Sequence, residues 1–386
     1  MKIDRIQTPA YVIDEKRLIS NLEILSDIQK QSGCRILLAQ KAYSAFATYP
    51  LIAGYLAGST ASGLYEARLG AEEMGGETHV FSVAYKQEEM KELVGLCSHV
   101  SFNSVTQLSK YKDLCSRANV SMGLRINPEC STQEKEIYDP CAPFSRLGVT
   151  RRKLEEEMEA KLDILSGVSG LHFHTLCEQN ADALEKTLVS VEEGFSDILS
   201  RKEITWLNMG GGHHITREDY DRDLLIRLIK RMREKYDLTV YLEPGEAVAL
   251  GAGYLVCEVL DVVENGMPIL ILDTSAACHM PDVLEMPYTP PLRGAEIVSG
   301  KEGEKGIVCR LASRTCLAGD VIGDYRFEKM PEAGDKLYFE DMAIYSMVKN
   351  NTFNGMGLPD ICYLHADGEC ELIRHFTYED FKERLS

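Results

Sequence analysis

The sequence predicts an α/β protein with two domains: a (β/α)8 barrel and a C-terminal, mostly β domain. Short β-rich runs alternate with segments that carry Leu, Glu and Lys at helical spacing, which is typical of a parallel sheet whose strands are connected by helices. Eight such runs occur within about 230 residues, which fits a barrel of this class. After about residue 250 the helical spacing gives way to strands separated by turns, which indicates the second domain.

The predicted barrel spans residues 15–250, and the predicted β domain spans 251–386 together with 1–14. The eight barrel runs lie at 35–41, 60–64, 78–83, 99–103, 121–127, 167–176, 206–211 and 239–245. The helical segments include 104–117, 151–162, 181–199 and 217–235. Runs at 254–264, 268–274, 306–311, 336–339 and 361–364 predict strands of the second domain. An open doubly wound sheet is the alternative, but the glycine-rich run at 210–212 follows a late strand, which disfavours a dinucleotide-binding fold.

The composition indicates a sizeable core and an acidic surface. Hydrophobic residues make up 45% of the 386 residues, and 60 acidic against 42 basic side chains give a net charge of −18. This charge argues against nucleic acid or an anionic membrane as a partner and suits a cationic substrate. Twelve cysteines occur without a CxxC pair, so neither a zinc ribbon nor a thioredoxin-type site is indicated, and no residue is predicted to bind a metal. Without a signal-peptide core or a membrane-length apolar run, we expect a cytoplasmic protein with free thiols.

Four predicted strands end in residues that together suit one site. Lys41 ends the apolar run LLAQK, where loss of water lowers the pKa of an amine and favours its attack on carbonyls. His174, the glycine run and Glu243 end strands six, seven and eight. A lysine for a Schiff base, an aromatic plate, a glycine loop for a phosphate and a carboxylate are the parts that pyridoxal phosphate needs. The plainer explanations are a solvated lysine, a core histidine, a tight turn and a hydrogen-bonded carboxylate.

Along nearly its whole length the chain resembles the fold-type III decarboxylases that use pyridoxal 5′-phosphate (PLP), the family of ornithine, arginine and diaminopimelate decarboxylases. The motifs that carry the resemblance are IQTPAYVID, LLAQKAYS, ASGLYEARLG, PFSRLG, GLHFHTLCE, NMGGGHHIT, YLEPGEAV, LDTSAACHMPD, TCLAGD and VKNNTFNG. The resemblance implies an alanine racemase-like fold, with a PLP-binding barrel and a β domain, in a homodimer with shared active sites. The motifs are most similar to those of the branch that decarboxylates carboxynorspermidine or carboxyspermidine in polyamine biosynthesis.

The resemblance also implies roles for single residues. Lys41 matches the Schiff-base lysine, and His174 matches the imidazole that stacks on the cofactor ring. Glu243 matches the carboxylate that pairs with the pyridine nitrogen. Cys316, in TCLAGD, matches the cysteine that protonates the α-carbon after CO2 leaves and that reaches the site from the partner subunit. The cofactor-binding residues implied in this way are Lys41, His174, Gly210, Gly211, Gly212, Glu243, Gly245 and Tyr345.

Three acidic residues are candidates for binding the substrate. Ornithine-type relatives carry an arginine after EPG that assists at the phosphate, whereas this chain has Glu246 there. A glutamate repels a phosphate but attracts an ammonium, and the same holds for Asp282 in HMPD. We therefore expect Glu246 and Asp282 to contact the cationic arm of a polyamine-like substrate, with Asp320 of TCLAGD as a neighbouring acidic group. The alternative for Glu246 is a surface carboxylate.

Three other functions are compatible with parts of the pattern. A diaminopimelate, ornithine or arginine decarboxylase shares the barrel and the cysteine, but the acidic Glu246 and Asp282 disfavour a substrate with a distal carboxylate. An amino-acid racemase needs a second base, normally a tyrosine, where this chain has TCLAGD. A PLP-carrier protein resembles the barrel alone, so the predicted β domain argues against it. The loop at 128–150 is long and turn-rich, which is typical of functional or mobile segments.

Overall fold

The computed structural model describes residues 2, 5–161, 163–298 and 305–386. The chain divides into two compact units, a barrel unit at Asn21–Val248 and a β unit at Met1–Ser20 with Ala249–Ser386. Positions 1, 3 and 4 of the predicted segment 1–14, and the last position of the predicted helix 151–162, lie outside the described residues. The predicted domain bounds, 15–250 and 251–386 with 1–14, stay a prediction.

The strands of both units are numbered in chain order. They are β1 Ala10–Asp14, β2 Arg35–Ala39, β3 Gly58–Ala61, β4 Glu77–Ser82, β5 His99–Phe102, β6 Ser121–Asn127, β7 Val149–Thr150, β8 Val168–His172, β9 Trp206–Asn208, β10 Thr239–Leu242, β11 Gly253–Glu264, β12 Pro268–Leu272, β13 Ala295–Ile297, β14 Ile307–Ser313, β15 Val321–Phe327, β16 Lys336–Glu340, β17 Asp360–Leu364 and β18 Cys370–Arg374. The α-helices are α1 Glu15–Ser32, α2 Tyr49–Ala53, α3 Leu64–Leu69, α4 Gln87–Leu96, α5 Val105–Arg117, α6 Arg151–Ala160, α7 Ala181–Leu199, α8 Arg222–Tyr236, α9 Glu246–Ala249, α10 Ala276–His279, α11 Asp282–Glu285 and α12 Tyr378–Glu383.

The barrel unit contains a closed parallel barrel, which confirms the predicted fold. Its strands pair in the order β2, β3, β4, β5, β6, β8, β9 and β10, and β10 pairs with β2 to close the ring. Every predicted barrel run overlaps one of these strands, and the two-residue β7 pairs with β6 as an addition. Closure brings the carboxyl ends of all eight strands to one mouth, where barrels build their sites.

Capping side chains set where the barrel helices begin. The Ser104 side chain accepts a hydrogen bond from the Gln107 N–H, so α5 begins at the next residue, Val105. Helix α8 begins at Arg222, five residues later than the sequence pattern predicts, because Asp221 caps it by accepting a hydrogen bond from the Leu224 N–H at 2.8 Å. Cap geometry therefore fixes a boundary that apolar spacing alone leaves open.

The only tryptophan, Trp206, lies on β9, buried against two glycines of neighbouring strands. A Cβ atom at Gly170 would lie 1.9 Å from Trp206 Cδ2, and one at Gly123 would lie 2.2 Å from its Cη2. Both glycines are therefore required by the ring that they contact. We expect Gly170→Ala to lower the free energy of unfolding by about 1–3 kcal/mol through overpacking, measured by urea denaturation.

Gly194 in α7 is the matched control for this variant. A Cβ atom there would meet nothing within 4 Å. Gly194→Ala should therefore stabilise the protein by about 0.5–1 kcal/mol, because alanine has the better helix propensity. Equal free energies of unfolding for the two alanine variants would contradict the claim that Trp206 requires a glycine at position 170.

The β unit is built on one mixed sheet. Its path is β13, β15, β14, β12, β11, β1, β17, β18, and β16 pairs with β11. The five predicted runs correspond to β11, β12, β14, β16 and β17, while β13, β15 and β18 were not predicted. Strand β15 contains Gly323 and Asp324, residue types that are depleted in strands. Its pairing with β14 compensates, since Arg310 lies opposite Asp324 with Nε 2.7 Å from Oδ1.

The sequence predicts free thiols and no membrane-length apolar run. In the part of the chain that the structure describes, no helix combines the length and the apolar character needed to cross a bilayer. All twelve cysteines are free thiols, eight of them buried.

Candidate active site

A small cavity opens at the carboxyl ends of the barrel strands. Its lining comes from residues within or just after the strands: Ala39, Lys41, Thr60, Ala61, Ser62, Phe81, Arg125, His172, His174, Gly211 and Glu243. Four of the predicted cofactor residues, Lys41, His174, Gly211 and Glu243, therefore share one cavity although they lie up to about 200 positions apart in the sequence.

Lys41 lies in a turn two residues beyond the buried end of β2. By area its side chain is exposed, because it faces the open cavity. Loss of hydration within the cavity lowers the pKa of Lys41, and the cation of Arg125 lowers it further. The carboxylates of Glu243 and Glu246 oppose this shift without cancelling it. A larger fraction of this amine is therefore neutral and nucleophilic near pH 7 than for an ordinary lysine.

Glu243 follows β10 and is anchored by its neighbours. Its Oε1 accepts a hydrogen bond from Asn208 Nδ2 at 2.7 Å, and His172 Nε2 lies 3.5 Å from its Oε2. Burial raises the pKa of this carboxyl group, but its polar neighbours, including the hydrogen bond from Asn208, outweigh burial, so the pKa lies below its ordinary value. Burial lowers the pKa of His172 to about 4. The pair is therefore a carboxylate beside a neutral imidazole at pH 7.

His174 presents a neutral imidazole to the cavity. Its Nδ1 accepts a hydrogen bond from the Gly211 N–H at 2.9 Å, which leaves the ring proton on Nε2. Burial lowers the pKa of His174 well below its usual value, and the nearby Lys41 and Arg125 cations add to that effect. A neutral ring in a fixed orientation is suited to lie flat against an aromatic ligand.

Arg125 is a site residue that the sequence pattern did not reveal. It lies within β6, almost fully buried, with its guanidinium 4.4 Å from the centre of the Phe81 ring. Its Nη2 donates a hydrogen bond to the His174 carbonyl at 3.2 Å, and among the described residues no carboxylate forms an ion pair with it. Burial lowers the pKa of Arg125 to about 10, so it remains a cation at pH 7.

The glycine run forms a tight turn between β9 and the following loop. Gly210 and Gly212 have φ of +69° and +79°, and a Cβ at Gly212 would lie 2.0 Å from the Leu176 carbonyl oxygen. The N–H of Gly210 donates to Asn208 Oδ1 at 2.8 Å, and that of Gly211 donates to His174. Two of the three N–H groups that we expected at a phosphate thus already have side-chain partners in the protein. The run orients His174 and Asn208, and its contact with a phosphate stays a prediction.

Gly245 and Glu246 follow Glu243 at the end of β10. A Cβ at Gly245 would lie 2.6 Å from Ala42 Cβ, so the turn that holds Lys41 requires a glycine there. Glu246 is not a surface carboxylate: its side chain is 13% exposed, and its Oε2 lies 3.5 Å from Nε2 of the buried His214. Neither ring nitrogen of His214 has a hydrogen-bond partner among the described residues. Position 246 thus holds a half-buried glutamate beside the buried His214.

Cys316 and Asp320 belong to the β unit. Cys316 is the one exposed thiol among the twelve cysteines, and its N–H donates to Asn354 Oδ1 at 2.9 Å. Asp320 is buried and accepts hydrogen bonds from the Ser275 hydroxyl at 2.6 Å and from the Thr315 hydroxyl. These bonds within the unit hold the loop that presents Cys316, which is a positioning role. Contact of Asp320 with substrate stays a prediction.

Asp282 and Tyr345 also lie in the β unit. Asp282 is the first residue of helix α11, and its carboxylate binds the ammonium of Lys349. The same ammonium binds the carboxylate of Glu285, which lies one helical turn after Asp282. The predicted substrate-binding carboxylate thus already holds an alkylammonium of its own chain. Tyr345 lies in a turn with φ of +52°, an uncommon conformation for a non-glycine residue. Its role at a phosphate stays a prediction.

Sequence signals existed for the three site residues that were missed. Arg125 is a charged residue within the otherwise apolar run SMGLRIN, and such a residue in a buried strand needs a function or a partner. His172 and Asn208 each end an observed strand, the same position that identified Lys41 and Glu243. The predicted runs 167–176 and 206–211 extend past these residues, so the strand-end argument did not single them out.

Comparison with known proteins places this site in a family. The family described as "Pyridoxal-dependent decarboxylase, C-terminal sheet domain" matches residues 10–343. A carboxynorspermidine/carboxyspermidine decarboxylase from Campylobacter jejuni subsp. jejuni is 42% identical over 391 aligned positions, which cover both chains completely. A carboxyaminopropylagmatine decarboxylase from Synechocystis sp. is 40% identical and covers 100% of this chain and 97% of the relative.

Solved structures agree with the sequence relatives. The crystal structure of carboxynorspermidine decarboxylase from Campylobacter jejuni, complexed with norspermidine, has a TM-score of 0.90 and 41% identity, covering 98% of this chain and 100% of that one. Diaminopimelate decarboxylase from Helicobacter pylori has a TM-score of 0.81 at 17% identity, covering 99% and 97%, and shares the fold. With this full-length similarity and with Lys41, His174 and Glu243 in one barrel cavity, the chain belongs to the pyridoxal-dependent decarboxylase family.

Proposed function

We propose that this chain decarboxylates carboxynorspermidine or carboxyspermidine, giving norspermidine or spermidine, with PLP as its cofactor. The observation that carries the reaction type is the meeting of Lys41 and Glu243 in one cavity at the barrel mouth. Support for the substrate class comes from the relative that is 42% identical over the full length. The net charge of −18 suits a polycationic substrate.

The cavity residues fit PLP. Arg125 is a buried cation without a carboxylate partner among the described residues, and neither ring nitrogen of the buried His172 has a hydrogen-bond partner there. Buried polar groups are normally satisfied, so these groups are suited to an anionic, aromatic ligand with polar substituents. Lys41 would hold the cofactor through its amine, His174 would cover one ring face, and Glu243 would face the ring nitrogen.

When bound, PLP supplies an electron sink for the electron pair that remains after the carboxylate leaves. The chain's own residues prepare that chemistry. Glu243, whose pKa lies below its ordinary value and which accepts a hydrogen bond from Asn208, would keep a proton on the facing nitrogen. Lys41, whose pKa the loss of hydration in the cavity lowers, would exchange with the substrate amine. His174 is neutral and places no positive charge beside the ring that would disfavour the protonated nitrogen.

We propose that Cys316 of the partner subunit donates the proton that replaces CO2, in a homodimer with shared active sites. The support is that Cys316 is the one exposed thiol of twelve, on a loop that Asp320 holds in place. The twelve free thiols support a reducing, cytoplasmic location. We expect the dimer to show in sedimentation, with loss of activity on dilution below its dissociation constant.

A second candidate substrate is carboxyaminopropylagmatine, because a decarboxylase of that name is 40% identical over this whole chain. The deciding experiment compares kcat/KM for carboxynorspermidine, carboxyspermidine, carboxyaminopropylagmatine, meso-diaminopimelate and ornithine by CO2 release. We expect one of the first three to exceed diaminopimelate by about 10²-fold or more, since these three carry a longer cationic chain than ornithine and no distal carboxylate. Preference for diaminopimelate or ornithine would overturn the proposed substrate class.

The ion pair between Asp282 and Lys349 predicts that substitutions of its two members change KM in opposite directions. If Asp282 binds the cationic arm of the substrate, Lys349 competes for the same carboxylate. Asp282→Ala should then raise KM for the preferred carboxypolyamine about three- to tenfold, and Lys349→Ala should lower it. The surface pair Lys153 and Glu157 offers the control, because Lys153→Ala removes an exposed ion pair only. If KM were unchanged in both Asp282→Ala and Lys349→Ala, the ion pair between these residues would have only a structural role.

A further inference from the structure

Glu77, His79 and His99 form a cluster in the barrel unit that the proposed reaction does not use. Glu77 is the first residue of β4, His79 is two positions later on the same strand, and His99 is the first residue of the adjacent β5. The cluster therefore lies at the amino ends of the barrel strands, whereas the cavity with Lys41 lies at their carboxyl ends. Residues i and i+2 of a strand face the same side, which brings the carboxylate and the first imidazole together.

The three side chains bring their ligand atoms close together. One atom from each, a carboxylate oxygen and two imidazole nitrogens, all lie within 4.8 Å of one another. Glu77 Oε2 is 3.0 Å from His79 Nε2 and 3.9 Å from His99 Nδ1. Ligands at about 2.0–2.2 Å from a tetrahedral ion lie roughly 3.4 Å apart, so the first separation must widen slightly and the second must close by about half an ångström.

The groups around the cluster make it selective for particular ions. Two imidazole nitrogens and one carboxylate suit Zn²⁺, Ni²⁺ or Co²⁺ better than Mg²⁺ or Ca²⁺, which prefer oxygen ligands.

Three local adjustments accompany ion binding at this cluster. Arg35 binds the other oxygen of Glu77, but its side chain is 46% exposed and can turn into solvent. His99 Nδ1 faces the Ser98 hydroxyl at 3.1 Å, so binding there places the ring proton on Nε2. The His79 and His99 rings stack with centroids 4.0 Å apart and must rotate until their lone pairs converge. Each change is a side-chain rotation or a proton shift, and none moves a strand.

We propose that Glu77, His79 and His99 bind one divalent transition-metal ion of the Zn²⁺, Ni²⁺ or Co²⁺ class, which joins β4 to β5 at the closed end of the barrel. Exposed faces of Glu77 and His99, 21% and 16% by side-chain area, leave room for water as the remaining ligand. Since the ion binds the folded chain, it should stabilise it by mass action. The site lies away from the catalytic mouth, where barrels commonly place stabilising features.

The test titrates the PLP-loaded enzyme with Ni²⁺ by calorimetry and follows thermal unfolding in parallel. Ni²⁺ is used because imidazole ligands suit it, while the free thiols would take up Zn²⁺. We expect one saturable site per chain and a rise in Tm on binding. His99→Phe keeps an aromatic ring beside Trp206, and Glu77→Gln keeps hydrogen bonding. Both variants should weaken Ni²⁺ binding about tenfold or more, provided that their Tm without metal shows a folded protein.

Two further variants make the result specific to this cluster. Arg35→Ala removes the cation that competes for Glu77, so it should tighten Ni²⁺ binding. His365→Ala removes a surface histidine that pairs with Glu371 at 3.0 Å, and it should leave binding unchanged. The proposal is overturned if wild type shows no saturable Ni²⁺ site, if His99→Phe and Glu77→Gln bind as wild type does, or if Arg35→Ala weakens binding.

Discussion

Lys41→Ala should lower the rate of CO2 release by about 10³-fold or more and remove the visible absorbance of the protein-bound cofactor. Lys41 is the one lysine among the described residues that line the cavity, so the described part of the barrel offers no second amine there to replace it. The low pKa that the cavity gives this amine is lost with it. The measurements are steady-state decarboxylation and the absorbance spectrum of the PLP-loaded protein.

The control for this variant is Lys153→Ala, which changes a lysine on helix α6. It should keep both the absorbance and the rate. Added primary amines should partly restore turnover to Lys41→Ala if the lysine acts through its amine alone. Full turnover together with an unchanged spectrum in Lys41→Ala would contradict the assignment.

Glu243→Gln should lower kcat by about 10²–10³-fold while the protein still binds PLP. The amide keeps the size of the side chain and can still bond to Asn208, but it carries no negative charge to hold a proton on the facing ring nitrogen. The substitution acts on the chemical step, so KM should change less than kcat. Stopped-flow spectra and kcat at saturating substrate measure the two effects separately.

Glu157→Gln, on the surface of α6, is the matched control and should leave kcat unchanged. The pH profile adds a second readout. The pKa of Glu243 lies below its ordinary value, so the wild-type charge persists through the neutral range and into mildly acidic solution. A Glu243→Gln enzyme with wild-type kcat would show that the carboxylate is not needed for the reaction.

The barrel was predictable because its strands are buried on both faces and connected by amphipathic helices, so each strand forms a compact β-rich run. Strand β15 was missed because Gly323 and Asp324 weaken its local signal, and its stability comes from pairing with β14. The start of α8 was missed because it depends on the Asp221 side chain rather than on apolar spacing. The local sequence pattern thus predicts helices and strands that bury their own apolar residues. It fails for elements whose stability or boundary depends on a neighbouring strand or a capping side chain.

The site was predictable to the extent that its residues end strands. Lys41, His174 and Glu243 meet because a closed parallel barrel gathers strand ends. The pairing of Asp282 with Lys349, 67 positions apart, has no local signal, and it changes the expectation for Asp282 from a free carboxylate to an occupied one. Likewise, Glu246 was expected to attract an ammonium, and the structure places it beside His214. Such ion pairs depend on loop geometry, which a single sequence does not contain.

The central claim is that this cavity removes the α-carboxylate of a carboxypolyamine. Its most direct test is a stoichiometry: purified protein with PLP is given carboxynorspermidine labelled with ¹³C in the carboxyl group, in D2O, and both products are measured. We predict one labelled CO2 for each norspermidine formed, with one deuteron on the former α-carbon. Absence of labelled CO2, or recovery of the substrate with only its α-hydrogen exchanged, would contradict the claim.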